Sequence, residues 1–421
     1  MKKVVITGIG CITPAGIGMD ELWERARSGE ACTQTIDRFN PARYQCQVAG
    51  QANTFDAQQE LPARTVKRTD RFTHLALATV NQALADARLS VDAENGVRPE
   101  RVAVMVGNVL GGWEFAEREL RELWRDGARE VSPYQATAWF PAAPQGNICI
   151  NLGIKGPART FVSDRASGAY ALIHGADVIR RGQADVVIAG GTEAPLSPYA
   201  WLCCQTAGYL TRHGNKQPGA AYRPFERKHT GTVLGEGSSF LILEELEHAQ
   251  RRGATIYGEL KGWAVGSDGY IPLYTVEPHG YILAKTIQKS LRHADLEAGQ
   301  VDAIFAHGSG IPVEDMTEAY AFKDTFGARS QDVPVTAPKS AIGHMLGAAA
   351  PADVALALRA MAKKELPPTA NLDQPAPGFD LNFVRGNAQK LESFRNTLVV
   401  SRGFGGVNAC MVVSAWSATV A

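Results

Sequence analysis

The stretch Gly156-Pro157-Ala158-Arg159-Thr160-Phe161-Val162-Ser163-Asp164-Arg165-Ala166-Ser167-Gly168-Ala169-Tyr170-Ala171-Leu172 decides how the rest of the sequence is read. A strand-like run ends in a tight polar turn, and an Ala/Gly-rich helix begins. In such an elbow the first helical residue sits at the positive end of the aligned peptide dipoles. A thiol placed there would lose its proton easily and become a nucleophile. This sequence has Arg165 instead. A guanidinium cannot attack a thioester and does not deprotonate in proteins. A cation at a helix start also needs a compensating anion, and Asp164 is the nearest candidate. The plainer alternative is a solvated side chain at a helix start.

Working outward, short β-branched runs alternate with amphipathic stretches. Val4–Thr7, Val102–Val106, Val186–Ala189, Ser239–Leu243, Ala303–Ala306 and Thr397–Ser401 read as buried strands. Asp70–Asp86, Gly168–Arg181, Val313–Phe326 and Ala348–Lys364 carry helical periodicity. The alternation predicts an α/β fold with mostly parallel sheets. With 421 residues the chain is too long for one compact core. A break at Gln250-Arg251-Arg252-Gly253 divides it into halves 1–252 and 253–421, each opening on a strand. Glycine turns close several strands, but none has the GxGxxG spacing of a dinucleotide site.

Lys plus Arg and Asp plus Glu are both 43, so no global attraction to nucleic acid or to an anionic membrane is implied. Seven scattered cysteines without metal-ligand spacing fit a reduced cytoplasm and no metal. Met1-Lys2-Lys3 before Val4-Val5-Ile6 reads as the lead into a first strand rather than a signal peptide, because Gly8 and Gly10 interrupt the apolar run. No run approaches the roughly 18 apolar residues of a membrane span. Nothing calls for a cofactor.

Two further segments carry chemistry. Ala306-His307-Gly308-Ser309-Gly310-Ile311-Pro312 puts a histidine at a strand end before a glycine turn. Pro338-Lys339-Ser340-Ala341-Ile342-Gly343-His344-Met345-Leu346-Gly347-Ala348-Ala349 puts Lys339 and His344 in a loop leading into a helix. With the turn Gly403-Phe404-Gly405-Gly406 they resemble the beta-ketoacyl synthase pattern, and Val4–Gly10, Arg223-Pro224-Phe225 and Leu234-Gly235-Glu236-Gly237 extend the likeness over nearly the whole chain. The resemblance implies a thiolase-like five-layered αβαβα fold of two duplicated halves, working as a dimer. It implies that the two imidazoles stabilise oxyanion and enolate charge. It also implies that a helical glutamate, here Glu318, holds Lys339.

Within that family, Tyr134-Gln135-Ala136-Thr137-Ala138-Trp139-Phe140, Ser163–Gly168, Pro198-Tyr199-Ala200-Trp201 and Ala207-Gly208-Tyr209-Leu210 look like the chain-length factor, the ketosynthase beta subunit of a type II polyketide synthase. Such subunits usually carry glutamine at the elbow and often lose the histidines. Arg165 departs from the first habit; His307, Lys339 and His344 depart from the second. The resemblance implies a heterodimer with a cysteine-bearing ketosynthase that extends a polyketide or polyene on an acyl carrier protein. Leu110, Trp113, Phe115, Trp139 and Phe140 then stand where a tunnel would be shaped, or serve as ordinary core or interface packing. Arg64, Lys67 and Arg68 stand where relatives meet the acidic carrier, or are simply a solvated charge run. The rival readings are a malonyl-carrier-protein decarboxylase using His307 and His344, and a purely structural partner subunit. Cys149, Cys203 and Cys204 read as buried structural thiols.

Overall fold

The computed structural model describes residues 2–92, 96–269 and 276–417. Ten main strands and seven main helices carry the architecture. The first half contributes β1 (Val4–Thr13), α1 (Arg71–Asp86), β2 (Val102–Gly107), α2 (Trp113–Asp126), α3 (Ala143–Leu152), β3 (Ala158–Phe161), α4 (Ser167–Arg180), β4 (Val186–Glu193) and β5 (Gly237–Glu245). The second contributes β6 (Gly258–Ser267), α5 (Tyr281–His293), β7 (Ala303–Phe305), α6 (Pro312–Phe326), β8 (Pro334–Thr336), α7 (Ala349–Lys363), β9 (Asn396–Gly403) and β10 (Val407–Ala415).

The strand order exposes a duplication. One half runs β3-β2-β4-β5-β1 and the other β8-β7-β9-β10-β6, which is the same order with every strand advanced by five. The pairing senses match too. β2 lies parallel to β3 and β4, and β7 lies parallel to β8 and β9. The inner pairs, β4–β5–β1 and β9–β10–β6, are antiparallel. β1 and β6 join the halves through Val5–Glu259 and Ile6–Gly258.

The expected predominance of parallel strands is therefore corrected: the sheet is mixed. β9 and β10 are neighbours in sequence, joined through Phe404-Gly405-Gly406, and so short a connection forces an antiparallel pair. β4 and β5 are buried along their whole length, as parallel strands usually are, which hides their true sense in the sequence.

α4 and α7 pack against each other between the two halves of the sheet, α1 and α3 cover one outer face, and α5 and α6 cover the other. These are the five layers expected. The contact of α1 with β1 is so close that a Cβ on Gly8 would lie 2.4 Å from Ala83 O, and one on Gly10 would lie 2.1 Å from Thr79 O. Those glycines are backbone-to-backbone contacts. α1 itself starts where Asp70 accepts the Phe72 N–H at 3.1 Å. No helix among the described residues is long and apolar enough to cross a membrane.

Candidate functional site

β3 and α4 form the elbow. Asp164 occupies the left-handed region at φ 48°, and the turn is stitched by Ser167, whose N–H and Oγ both donate to Asp164 O at 2.9 and 2.6 Å. Such a conformation costs a non-glycine residue free energy, and these bonds hold it in place. Arg165 stands just ahead of the helix, which opens at Ser167. A Cβ on Gly168 would lie 2.1 Å from Gly347 O, so only glycine lets the elbow sit this close to the loop after His344.

Arg165 is wholly buried, which rules out the solvated reading. Its Nη1 and Nη2 donate to Glu314 Oε2 and Oε1 at 2.9 and 2.7 Å, and its Nε donates to Asp164 Oδ2 at 3.2 Å. The guanidinium carbon lies 4.0 Å from the Phe404 ring centroid, while the Phe404 N–H donates to Asp164 Oδ2 at 2.6 Å. Asp164 is thus the lesser anion; the principal one, Glu314 in the first turn of α6, comes from the other half. Burial works against the charge on Arg165, but Glu314 and Asp164 outweigh it and raise the guanidinium's pKa. Burial likewise works against the Glu314 carboxylate, and Arg165 more than offsets it, so its pKa lies below the ordinary value.

His307 and His344 meet edge to face, ring centroids 4.9 Å apart. The Arg402 N–H donates to His307 Nδ1 at 3.3 Å and the Leu346 N–H to His344 Nδ1 at 3.1 Å. With both Nδ1 atoms accepting, the proton of each neutral ring belongs on Nε2. Both Nε2 atoms are buried and without a partner among the described residues. His307 Nε2 is 3.9 Å from Glu314 Oε2, beyond hydrogen-bond reach. Burial, and then the nearby Arg165 charge, holds both imidazoles well below their ordinary pKa. The site therefore presents two neutral N–H donors beside a sealed ion pair.

Lys339 is held differently from the expectation. Its Nζ pairs with Asp353 Oδ2 at 2.8 Å and donates to Ala306 O at 2.6 Å. Burial pushes the Asp353 carboxyl up to about 6, against the pull of Lys339. Glu318 instead accepts the His307 and Gly308 N–H groups at 2.6 and 3.0 Å, fixing the turn that presents the imidazole. Burial lifts its carboxyl to about 7. A second buried arginine, Arg402, was not foreseen. Its Nε donates to Asn408 Oδ1 at 3.0 Å and its Nη2 pairs with Asp268 Oδ2 at 3.3 Å.

The five tunnel or interface candidates differ in exposure. Phe115 is buried, its N–H donates to Asp70 Oδ2 at 2.6 Å, and Arg118 covers its ring at 4.4 Å. Trp113 is half-buried and its ring lies 5.1 Å from that of Tyr199. Leu110 is half-buried, with its N–H donating to Glu193 Oε2 at 3.4 Å. Trp139 and Phe140 are exposed, at 39% and 53%. The two stretches are tied together by the Gly112 N–H, which donates to Trp139 O at 2.8 Å. Ile150 on α3 and Val162 after β3, the last strand at that end of the sheet, are also exposed.

Arg64 and Lys67 project from the helix Ala63–Arg68 into solvent, whereas Arg68 lies over the Tyr134 ring at 4.9 Å. Cys203 is exposed, contrary to its reading as a buried thiol; Cys149 is half-buried and Cys204 buried. Burial raises the Cys149 thiol and pushes that of Cys204 up to about 12.

The description "Beta-ketoacyl synthase, N-terminal domain" matches residues 1–249 and "Beta-ketoacyl synthase, C-terminal domain" matches residues 257–373. The chain is 36% identical to the tetracenomycin polyketide synthase ketoacyl synthase beta subunit of Streptomyces glaucescens, over 97% of this chain and 98% of that one. The solved ishigamide ketosynthase/chain length factor superposes with a TM-score of 0.90 at 28% identity, over 99% of this chain and 100% of the other. A type II PKS acyl-carrier protein in complex with its ketosynthase bound to the hexaketide also superposes with a TM-score of 0.90, at 25% identity and the same coverage.

Proposed function

The chain belongs to the beta-ketoacyl synthase family, and from that premise we propose that it is the non-nucleophilic chain-length-factor subunit of a type II polyketide synthase. It pairs with a cysteine-bearing ketosynthase, and the two extend a polyketide or polyene on an acyl carrier protein. The observation that carries this reading is the state of Arg165: a permanent cation, buried and bidentate on Glu314, fills the place of the nucleophile. The likeness to a beta subunit and to a ketosynthase/chain length factor supports it. The exposed side chains Trp139, Phe140, Ile150 and Val162, near a terminal strand, supply an apolar face suited to a partner subunit. Leu110, Trp113 and Phe115, on the segment tied to Trp139, are our candidates for limiting chain length. Arg64 and Lys67 are our candidates for meeting the acidic carrier. We assign the halves to 1–252 and 253–421, and the whole to the cytoplasm. Co-expression with a cysteine-bearing ketosynthase should give a one-to-one complex whose product length changes with this chain. Separate elution of the two, or an unchanged product, would refute the proposal.

A second reading is favoured by one observation, the two unpaired Nε2–H donors of His307 and His344. Donors of this kind stabilise an enolate, as decarboxylation of a malonyl thioester requires. Carbon dioxide release by the pair, with the partner's cysteine blocked, separates the readings. Release that disappears in His307→Ala and His344→Ala supports the decarboxylase; release unaffected by them leaves the rings as packing.

A further inference from the structure

The segment from Arg212 to His229 holds Arg212, Lys216, Arg223, Arg227 and Lys228 against one carboxylate, Glu226, in a chain of zero net charge. Glu226 is buried and already engaged, accepting the N–H groups of Asp373 and Gln374 at 3.0 and 2.7 Å. Among the described residues none of the five cations closes an ion pair. Three of them, Arg223, Arg227 and Lys228, line one surface cavity of about 440 Å3 together with His213, His229 and Thr230. Arg223 gives its Nε to Ala220 O, which leaves its two Nη groups for the cavity. His229 is braced from behind: its Nδ1 meets Asp315 Oδ2 at 2.7 Å, and Asp315 also accepts the Phe225 and Gly310 N–H groups at 2.7 and 3.1 Å. That leaves Nε2 as the ring's free nitrogen.

Like charges crowded into one concavity repel unless a counter-charge fills it. Two guanidinium groups and an ammonium match the tetrahedral oxygens of phosphate. A single carboxylate would leave most of this charge unanswered. A nucleic-acid strand needs an extended basic track, whereas this site is a pocket of small-molecule size. We propose that the cavity binds a phosphate ester. Two sources share that chemistry: the diphosphate head of a coenzyme A thioester, and the phosphodiester of a carrier protein's pantetheine arm. The proposal rests on this cavity alone and stands independently of the subunit assignment.

The test is calorimetric titration of the purified chain, with its co-expressed partner, using inorganic pyrophosphate at fixed ionic strength and sulfate as the control anion. Saturable binding of pyrophosphate at least ten-fold tighter than sulfate is expected. Arg227→Ala/Lys228→Ala should weaken it ten-fold or more, while Lys289→Ala/Lys363→Ala, at exposed positions elsewhere on the chain, should leave it within two-fold. Both double variants alter exposed side chains, and an unchanged melting temperature confirms that each is folded. Competition by coenzyme A then identifies the first source, and competition by pantetheinylated but not apo carrier protein the second. Pyrophosphate binding no tighter than sulfate, binding undiminished in Arg227→Ala/Lys228→Ala, or failure of both competitors would overturn the proposal.

Discussion

Arg165 and Glu314 meet fork to fork, Nη1 on Oε2 at 2.9 Å and Nη2 on Oε1 at 2.7 Å, although 149 residues separate them in sequence. One side chain belongs to the elbow of the first half and the other to the first turn of α6 in the second. The pair therefore fastens the two halves at the elbow. Removing two charges from water costs several kcal/mol apiece, on the order of what a close, doubly bonded pair can return. The pair is thus less a source of stability than a mutual obligation.

Breaking one side of that obligation should be expensive. Arg165→Ala strands a buried carboxylate and should cost about 3–5 kcal/mol. Arg165→Gln should cost less, because a carboxamide still donates to Glu314, and the heterodimer should assemble and stay active. Arg165→Gln combined with Glu314→Gln should recover most of the loss. Urea unfolding of the single and double variants checks this. Additive losses in the cycle would mean that the two side chains are not coupled.

The buried imidazoles make a pH prediction whose sign is fixed. His307 and His344 sit well below their ordinary value of 6.5 in the folded state because of burial and the Arg165 charge. Below pH 6.5 the unfolded chain takes up protons that the folded chain refuses, so this contribution is present above 6.5 and lost as pH falls. The buried carboxyls of Glu193 and Glu318, lifted to about 8 and about 7, tilt the profile the other way. The difference in stability between the parent and His344→Gln isolates the ring. That difference should move in the variant's favour from pH 7 to pH 5. A flat difference would mean that His344 is not held neutral.

Much of this arrangement was legible in the sequence, and what was missed has a common cause. The strands at Val102 and Val186 and the helices from Arg71 and Ser167 follow from local periodicity and from turn chemistry. So does the elbow with Arg165 in it. Partners across the duplication do not, because nothing local says that residue 314 faces residue 165 or that residue 353 faces residue 339. A usable signal existed in one case: Asp353 is the lone carboxylate in the apolar run Ala349–Leu358, and a buried charge needs a counter-charge. The pairing of Glu318 with Lys339 came from the family resemblance, yet the Glu318 oxygens are taken by the backbone of the histidine turn. The tunnel or interface candidates range from buried Phe115 to exposed Trp139 and Phe140, a difference that sequence position alone does not give.

Trp113 is the better probe of chain length. Phe115 is buried beneath Arg118, and its loss should cost about 3–5 kcal/mol through cavity formation, which confounds product analysis. Trp113 is only half-buried, so Trp113→Ala should stay folded and lengthen the product if that ring limits the chain. Mass spectrometry of the products of the co-expressed pair reads this directly. A parental product distribution at normal yield would remove Trp113 from the role.

Arg64 and Lys67 are free to meet an acidic partner, whereas Arg68 is partly committed to Tyr134. Arg64→Glu/Lys67→Glu should weaken carrier binding and flatten its dependence on salt, since screening acts most strongly on exposed charges. Arg68→Glu should do less. Titrations of carrier protein across a salt series measure both effects. Binding unchanged at every salt concentration would assign docking to the partner subunit alone.

Whether this chain can accept an acyl group is the most direct question its structure poses. No thiol stands at the elbow, the Cys149 and Cys204 thiols are held protonated by burial, and Cys203 lies on the exposed face of another helix. The measurement is intact-mass analysis of both subunits after the heterodimer is incubated with an acyl-loaded carrier protein. One acyl mass on the cysteine-bearing partner and none on this chain is the predicted result. A stable acyl adduct on this chain, at Cys149, Cys203, Cys204 or elsewhere, would contradict it.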